Sequence, residues 1–111
     1  MGAKPRARMQ AGKDRPRLED LLQTLRANMP GLRERFGVRN LWLFGSYVRG
    51  EQRKRSDLDV LVEYDRPPTL LQFVRLERTI AELLEMKVDL VMRTALRPAI
   101  GRRILEEIVP V

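Results

Sequence analysis

No cysteine and no histidine occur among the 111 residues, and together the two absences exclude much familiar chemistry. Without cysteine there is neither a disulfide framework nor a thiolate metal site. Without histidine there is no imidazole zinc site, no serine–histidine hydrolase and no ordinary general base for neutral pH. Any metal must then be held by carboxylates and other oxygen donors, which selects Mg2+, Mn2+ or Ca2+. Long apolar runs are missing as well. None approaches the roughly 18–20 residues that a membrane span needs, and the N-terminal stretch lacks the apolar centre of a signal peptide. A cytoplasmic protein without membrane contact is expected, with room for one domain and a single modest core.

Acidic charge is scarce at the start of the chain. Lys4, Arg6, Arg8, Lys13 and Arg15 face Asp14 alone, so residues 1–16 carry more than half of the net charge of +7. This segment has no periodic apolar pattern and reads as a basic, disordered tail, with the folded domain spanning 17–111. A basic tail can touch nucleic acid or an acidic partner. Solvated termini of this kind are common, however, and the charge does not by itself predict direct nucleic-acid binding.

From Arg17 onward the apolar residues recur with structural periods. Leu18, Leu21, Leu22, Leu25 and Met29 fall at helical spacing, with Glu19 and Asp20 near the positive end of the helix. Pro30-Gly31 interrupts, and Leu32 and Phe36 extend or restart the helix before Gly37. Val38–Phe44 reads as a strand ending at Gly45-Ser46, and residues 47–56 hold one helical turn at most and a polar, basic loop. Leu58–Tyr64 reads as a second strand, Pro67-Pro68 break the chain, and a long amphipathic helix follows from Thr69. Lys87–Met92 makes a third short strand, and Pro98–Glu107 a last helix before Val109-Pro110-Val111 closes the chain. Helices and strands alternate, which gives an α/β class built on a small sheet.

Three features of this pattern need one explanation. Gly45-Ser46 stands at the end of an apolar strand, Asp57-Leu58-Asp59 at the start of the next, and Asp89 inside the third. Side chains alternate along a strand, so Asp57 and Asp59 share a face about 6.6–6.8 Å apart while Leu58, Val60 and Val62 occupy the other. Asp89 joins them if the strands are neighbours. Two carboxylates about 5 Å apart repel by roughly 3 kcal/mol at an intermediate dielectric, and a hard divalent cation turns that cost into coordination. Two such metals would also suit phosphoryl displacement. Glycine lets the backbone approach a ligand closely. Ser46 offers a hydroxyl and an N–H where phosphate is favoured, and Arg49, one turn on, adds a charge-assisted contact.

The stretch Gly45 to Val62, GSYVRGEQRKRSDLDVLV, resembles the signature of the polymerase-beta-like nucleotidyltransferase superfamily. In that family a Gly-Ser pair is followed at a set spacing by Asp-x-Asp on a strand. Here residues 47–56 separate Ser46 from Asp57, and Arg49-Gly50 and Ser56 also match. The resemblance extends from Leu41 to the C-terminus. It implies a nucleotidyltransferase fold, a small mixed β-sheet flanked by helices. It also implies Gly45, Ser46 and Arg49 as nucleotide-binding residues, and Asp57, Asp59 and Asp89 as catalytic metal ligands for Mg2+ or Mn2+, with ATP as substrate. Larger members carry a further domain for the acceptor, so this chain is similar to the minimal nucleotidyltransferases. Those are commonly antitoxins that transfer AMP from ATP to a tyrosine hydroxyl of a HEPN-domain ribonuclease toxin. One departure is Val48, where a small residue is expected.

Blander explanations stand beside these. Asp57 and Asp59 could cap a strand in solvent, Asp89 could pair with an arginine, and Arg49 could be a surface side chain. Arg53-Lys54-Arg55 reads as a solvated loop before it reads as a nucleotide clamp, Trp42 as core before stacking platform, and Tyr47 and Tyr64 as self-modification sites last of all. The apolar face of the long helix, with Leu70, Leu71, Phe73, Val74 and Leu76 nearly consecutive, is wider than one core requires. A partner protein or a second copy would account for it. A non-catalytic antitoxin, neutralising its partner by complex formation, is the alternative to the enzyme.

Overall fold

The computed structural model describes residues 16–53, 56–96 and 98–111. The basic tail expected over residues 1–16 therefore lies outside the described residues, Pro16 excepted, and so do Lys54 and Arg55 of the expected loop. The described elements run α1 (Leu18–Phe36), β1 (Val38–Phe44), α2 (Ser46–Arg49), β2 (Leu58–Tyr64), α3 (Leu70–Leu84), β3 (Val88–Met92), α4 (Pro98–Glu107) and β4 (Val109–Pro110), with a 3-10 turn at Arg93–Ala95. None of the described helices is long and apolar enough to cross a membrane.

The first helix is not broken at Pro30. It continues because its buried stripe continues, through Leu21, Leu22, Leu25, Met29 and Leu32. Pro30 itself is exposed, so the carbonyl it leaves without a helical partner can turn to water. The helix stops at Gly37, whose φ of 71° is the left-handed conformation that glycine adopts without penalty. Thr69 starts α3 with a capping box: its hydroxyl accepts from the Gln72 N–H at 3.1 Å, and the Gln72 side chain accepts from the Thr69 N–H at 2.9 Å. Such a cap is worth about 1 kcal/mol.

The sheet order is β3-β2-β1-β4. β1 runs antiparallel to β2 and to β4, while β2 and β3 are parallel, so the sheet is mixed as expected. The fourth strand was absent from the sequence reading, because two residues are too few to show a period. It is fastened by the Val111 N–H to the Leu41 carbonyl at 3.0 Å and by the Arg26 guanidinium to the Pro110 carbonyl at 3.1 Å. At the opposite edge, the Leu90 N–H donates to the Glu77 carboxylate at 3.0 Å.

Register divides the two faces. Leu41 opposite Val62 and Leu43 opposite Val60 lie on one side, and all four are buried in a cluster with Leu21, Leu25, Leu76, Ile80 and Leu84 of α1 and α3. Each such side chain contributes about 1.5–3 kcal/mol through its burial. Cross-strand partners share a face, so Trp42 opposite Leu61 and Phe44 opposite Asp59 look the other way. Trp42 thus stands outside the helix-covered core and lies half-buried under the Arg93 guanidinium, 5.2 Å from the ring centre. The excess apolar face of α3 is also resolved. Leu76, Ile80, Leu83 and Leu84 are buried, whereas Leu70 and Leu71 are 79% and 58% exposed and not covered by the described residues.

Neither tyrosine suits self-modification. Tyr47 is buried, and the Tyr64 hydroxyl is buried with no hydrogen-bond partner among the described residues. Burial also pushes the Tyr64 phenol up from 10.0 to about 12. An orphaned buried hydroxyl costs roughly 1–3 kcal/mol. Tyr64→Phe is therefore expected to raise stability by about 1 kcal/mol in urea denaturation; a lower midpoint for the variant would show that the hydroxyl has a partner.

Candidate active site

The face of the sheet turned away from α1 and α3 carries Asp59 and Asp89, two of the polar residues singled out by sequence. Asp59 pairs with Phe44 of β1 on one side and with Asp89 of β3 on the other. The three residues form one row across three strands. This placement follows from the apolar alternation of β2, since burying Leu58, Val60 and Val62 under the helices turns Asp59 outward. Asp57 stands one residue before β2, on an exposed turn where the Arg53 N–H donates to the Ser56 hydroxyl at 2.7 Å. Asp89 is exposed and takes part in no ion pair among the described residues. The pairing with an arginine that could have explained it is thus not found among the described residues.

Asp59 carries the electrostatic strain of this row. Burial, then the negative charges of Asp89 and Asp57, push its carboxyl up from 3.8 to about 6, against a smaller pull from Arg49. The folded chain thus holds this proton more tightly than the unfolded chain does. Its contribution to stability falls as pH rises from about 4 to 6, and the full cost is present above that window. With Asp59 partly open to solvent the cost is about 1–2 kcal/mol. In the absence of divalent metal, Asp59→Asn is expected to melt higher than wild type at pH 7, with the difference vanishing near pH 4. An equal or lower melting point for the variant at pH 7 would remove the electrostatic account.

Gly45 turns the chain out of β1 into α2 with φ 83° and ψ −153°. This conformation is essentially confined to glycine. Space imposes the same choice, because a Cβ here would land on the Asp59 carboxylate, 2.9 Å from its Cγ and closer still to Oδ2. The Gly45 carbonyl accepts from the N–H groups of Val48 and Arg49, both at 3.1 Å. Ser46 opens α2, and Val48, the departure from the family pattern, packs against the core edge. Arg49 points across the site, donating from Nε to Glu51 at 2.8 Å and from Nη1 to Glu107 at 3.0 Å. Hydrogen bonds to Glu51 and then to Glu107 hold its guanidinium above its ordinary range.

Glu107 and Arg103 were missed by sequence reasoning. Both sit on α4 and line, with Gly45, Arg49 and Asp59, a cleft of about 290 Å3. Glu107 also accepts from the Gly45 N–H at 3.2 Å. The only trace in the sequence is their spacing of four on a helix, with Ile104 between them, which places the two side chains on one face.

The donor chemistry suits a hard divalent cation. Asp59 and Asp89 are adjacent oxygen donors, Asp57 is close enough to raise Asp59, and the repulsion among them is what a cation relieves. Among the described residues, no three acidic side chains close into a ready-made cage as they stand. The fit is therefore one of charge and donor type on an open face.

Comparison with known proteins agrees with this geometry. The family described as "Nucleotidyltransferase domain" matches residues 29–111. A protein of Thermococcus cleftensis named "Protein adenylyltransferase MntA" is 47% identical over 92 residues, covering 83% of this chain and 93% of that protein. A solved structure described as a proposed minimal nucleotidyltransferase superposes with a TM-score of 0.73 at 34% identity, covering 92% of this chain and all of the other. One chain of a solved structure described as a tri-AMPylated Shewanella oneidensis HEPN toxin in complex with MNT antitoxin shares the fold at 21% identity and a TM-score of 0.53, over 83% of this chain and 66% of that one. The family match spans both the Gly45 turn and the aspartate row, and so the chain belongs to the nucleotidyltransferase domain family, beside the minimal nucleotidyltransferases.

Proposed function

We propose that this nucleotidyltransferase is a Mg2+-dependent protein adenylyltransferase that acts as an antitoxin, moving AMP from ATP to a tyrosine hydroxyl of a HEPN-domain ribonuclease toxin and so inactivating it. The observation that carries the reading is the Asp59–Asp89 pair, adjacent across parallel strands on an open face beside the Gly45 turn. The 47% identity to a protein named as an adenylyltransferase supports the donor, and the AMPylated HEPN toxin bound to an antitoxin of the same fold supports the acceptor class.

In this reading Asp57, Asp59 and Asp89 hold Mg2+, or Mn2+, on the open face. Bound there, the metal would supply charge neutralisation for the phosphates and activation of the attacking oxygen. Gly45 and Ser46 receive the phosphates at the turn, and Arg49 adds its guanidinium to them. The tyrosine hydroxyl gives up its proton to water as its oxygen bonds to the α-phosphorus, the bond from that phosphorus to the oxygen bridging to the β-phosphate breaks, and this oxygen leaves with pyrophosphate. The chain's part is positioning and charge stabilisation, which is most of what phosphoryl transfer requires. The exposed Leu70–Leu71 turn of α3 offers apolar area for the partner to cover.

Incubation with labelled ATP and Mg2+, with and without the HEPN protein, tests the proposal. Label is expected on the partner with wild type and none with Asp57→Ala/Asp59→Ala. If the double variant still silences the toxin as well as wild type, neutralisation is by binding alone and the enzymatic reading of the antitoxin fails.

A further inference from the structure

The groups assigned to the phosphates already have an occupant. One oxygen of Glu107 accepts both from the Gly45 N–H, at 3.2 Å, and from Arg49 Nη1, at 3.0 Å. An incoming phosphate oxygen and this carboxylate cannot take the same two donors at once. We propose that Glu107 is a built-in competitor for the phosphate seat, which a nucleoside triphosphate displaces on binding. The proposal rests on the nucleotidyltransferase reading of the site and adds to it a residue that sets nucleotide affinity.

Three features make the carboxylate displaceable. The Arg49 and Glu107 side chains are 45% and 28% exposed, so water can replace each partner as the contact opens. Among the described side chains and glycine of the helix that carries Glu107, only Gly101 is buried, with Arg102, Arg103, Leu105 and Glu106 exposed and Ile104 half-buried. Sparse burial of this kind marks segments that shift at little cost. Arg103 stands four residues earlier on the same helix and lines the same cleft, the spacing at which an acid and a base on a helix pair. It can receive the carboxylate once Arg49 turns to phosphate. Two residues beyond Glu107, Val109 is paired to Leu43, which limits the movement to the side chain and the end of α4. Charge acts in the same direction. Glu107 in place opposes a polyanion, and Glu107 withdrawn leaves Arg49 facing it.

Titration calorimetry on the full chain, with MgATP and with adenosine, tests this. Glu107→Gln keeps the side chain's shape and removes its charge, and it is expected to bind MgATP about tenfold more tightly than wild type. Adenosine, which has no phosphate to compete, should bind the two alike. Glu107→Asp, whose shorter arm withdraws from Gly45, should fall between them. Hydrogen exchange on wild type gives a reading that does not depend on any variant folding. MgATP is expected to slow exchange at the Gly45 amide and to speed it at the end of α4. MgATP binding that is unchanged or weaker in Glu107→Gln, or slower exchange at the end of α4 with nucleotide bound, overturns the competitor and leaves the nucleotidyltransferase reading intact. Folded wild type and Glu107→Gln that both fail to bind MgATP overturn the two together.

Discussion

Asp59→Asn is expected to stay folded and to lose nucleotidyl transfer by about a thousandfold or more. The two halves of that result come from the same carboxylate. Asp59 occupies the middle of the row, flanked by Phe44 and Asp89, and its charge is disfavoured by burial and by its acidic neighbours. Neutralising it removes that cost from the fold. The same change removes what the proposed mechanism makes the central ligand for a cation, whose charge stabilisation is worth several kcal/mol in a transition state, and each 1.36 kcal/mol is a factor of ten in rate. Single-turnover transfer at saturating MgATP, read beside a thermal melt of each protein, separates the two effects. A variant that retains more than about a tenth of the wild-type rate would place the metal elsewhere.

Gly45→Ala is expected to be the most damaging single methyl group that can be added near the site. Two penalties combine. The backbone conformation, φ 83° and ψ −153°, costs a residue with a Cβ about 1–3 kcal/mol. The new carbon also falls on the Asp59 carboxylate, and overpacking adds about 1–3 kcal/mol. A total on the order of 4 kcal/mol is a large share of the 5–15 kcal/mol that holds a typical domain together, and corresponds to a melting point lower by about 20 °C. The damage has a direction, because relief requires Asp59 to move away from Gly45. Asp59→Ala/Gly45→Ala should therefore recover part of the lost stability. If the double variant is no more stable than Gly45→Ala, the clash is not the cause.

The elements of this fold were legible where a period had room to show itself. The alternation of Leu58, Val60 and Val62 located β2 and also turned Asp59 outward, so the same residues announced the strand and the site. Asp89 was readable for the opposite reason, as a carboxylate interrupting an apolar strand, although its exposure on β3 was not. Pro30-Gly31 left extension and restart of the helix both open, because local backbone chemistry there favours a break. The buried stripe through Met29 and Leu32 outweighed it. The role of Glu107 was hidden more deeply. Its contacts to Gly45 and Arg49 span 62 and 58 residues of chain, and no local pattern encodes a distance of that kind. Likewise β4, two residues long, exists only because β1 offers it a partner.

The Glu77 carboxylate on the Leu90 N–H and the proline in β4 lie at opposite margins of the sheet. A bare margin is a template on which any extended chain can zip, including another copy of the same protein. Here one side spends a backbone donor on its own helix, and the other ends in a residue that has none to give. Growth by strand addition is blunted in both directions. The contacts left to a protein partner are then chiefly those between side chains.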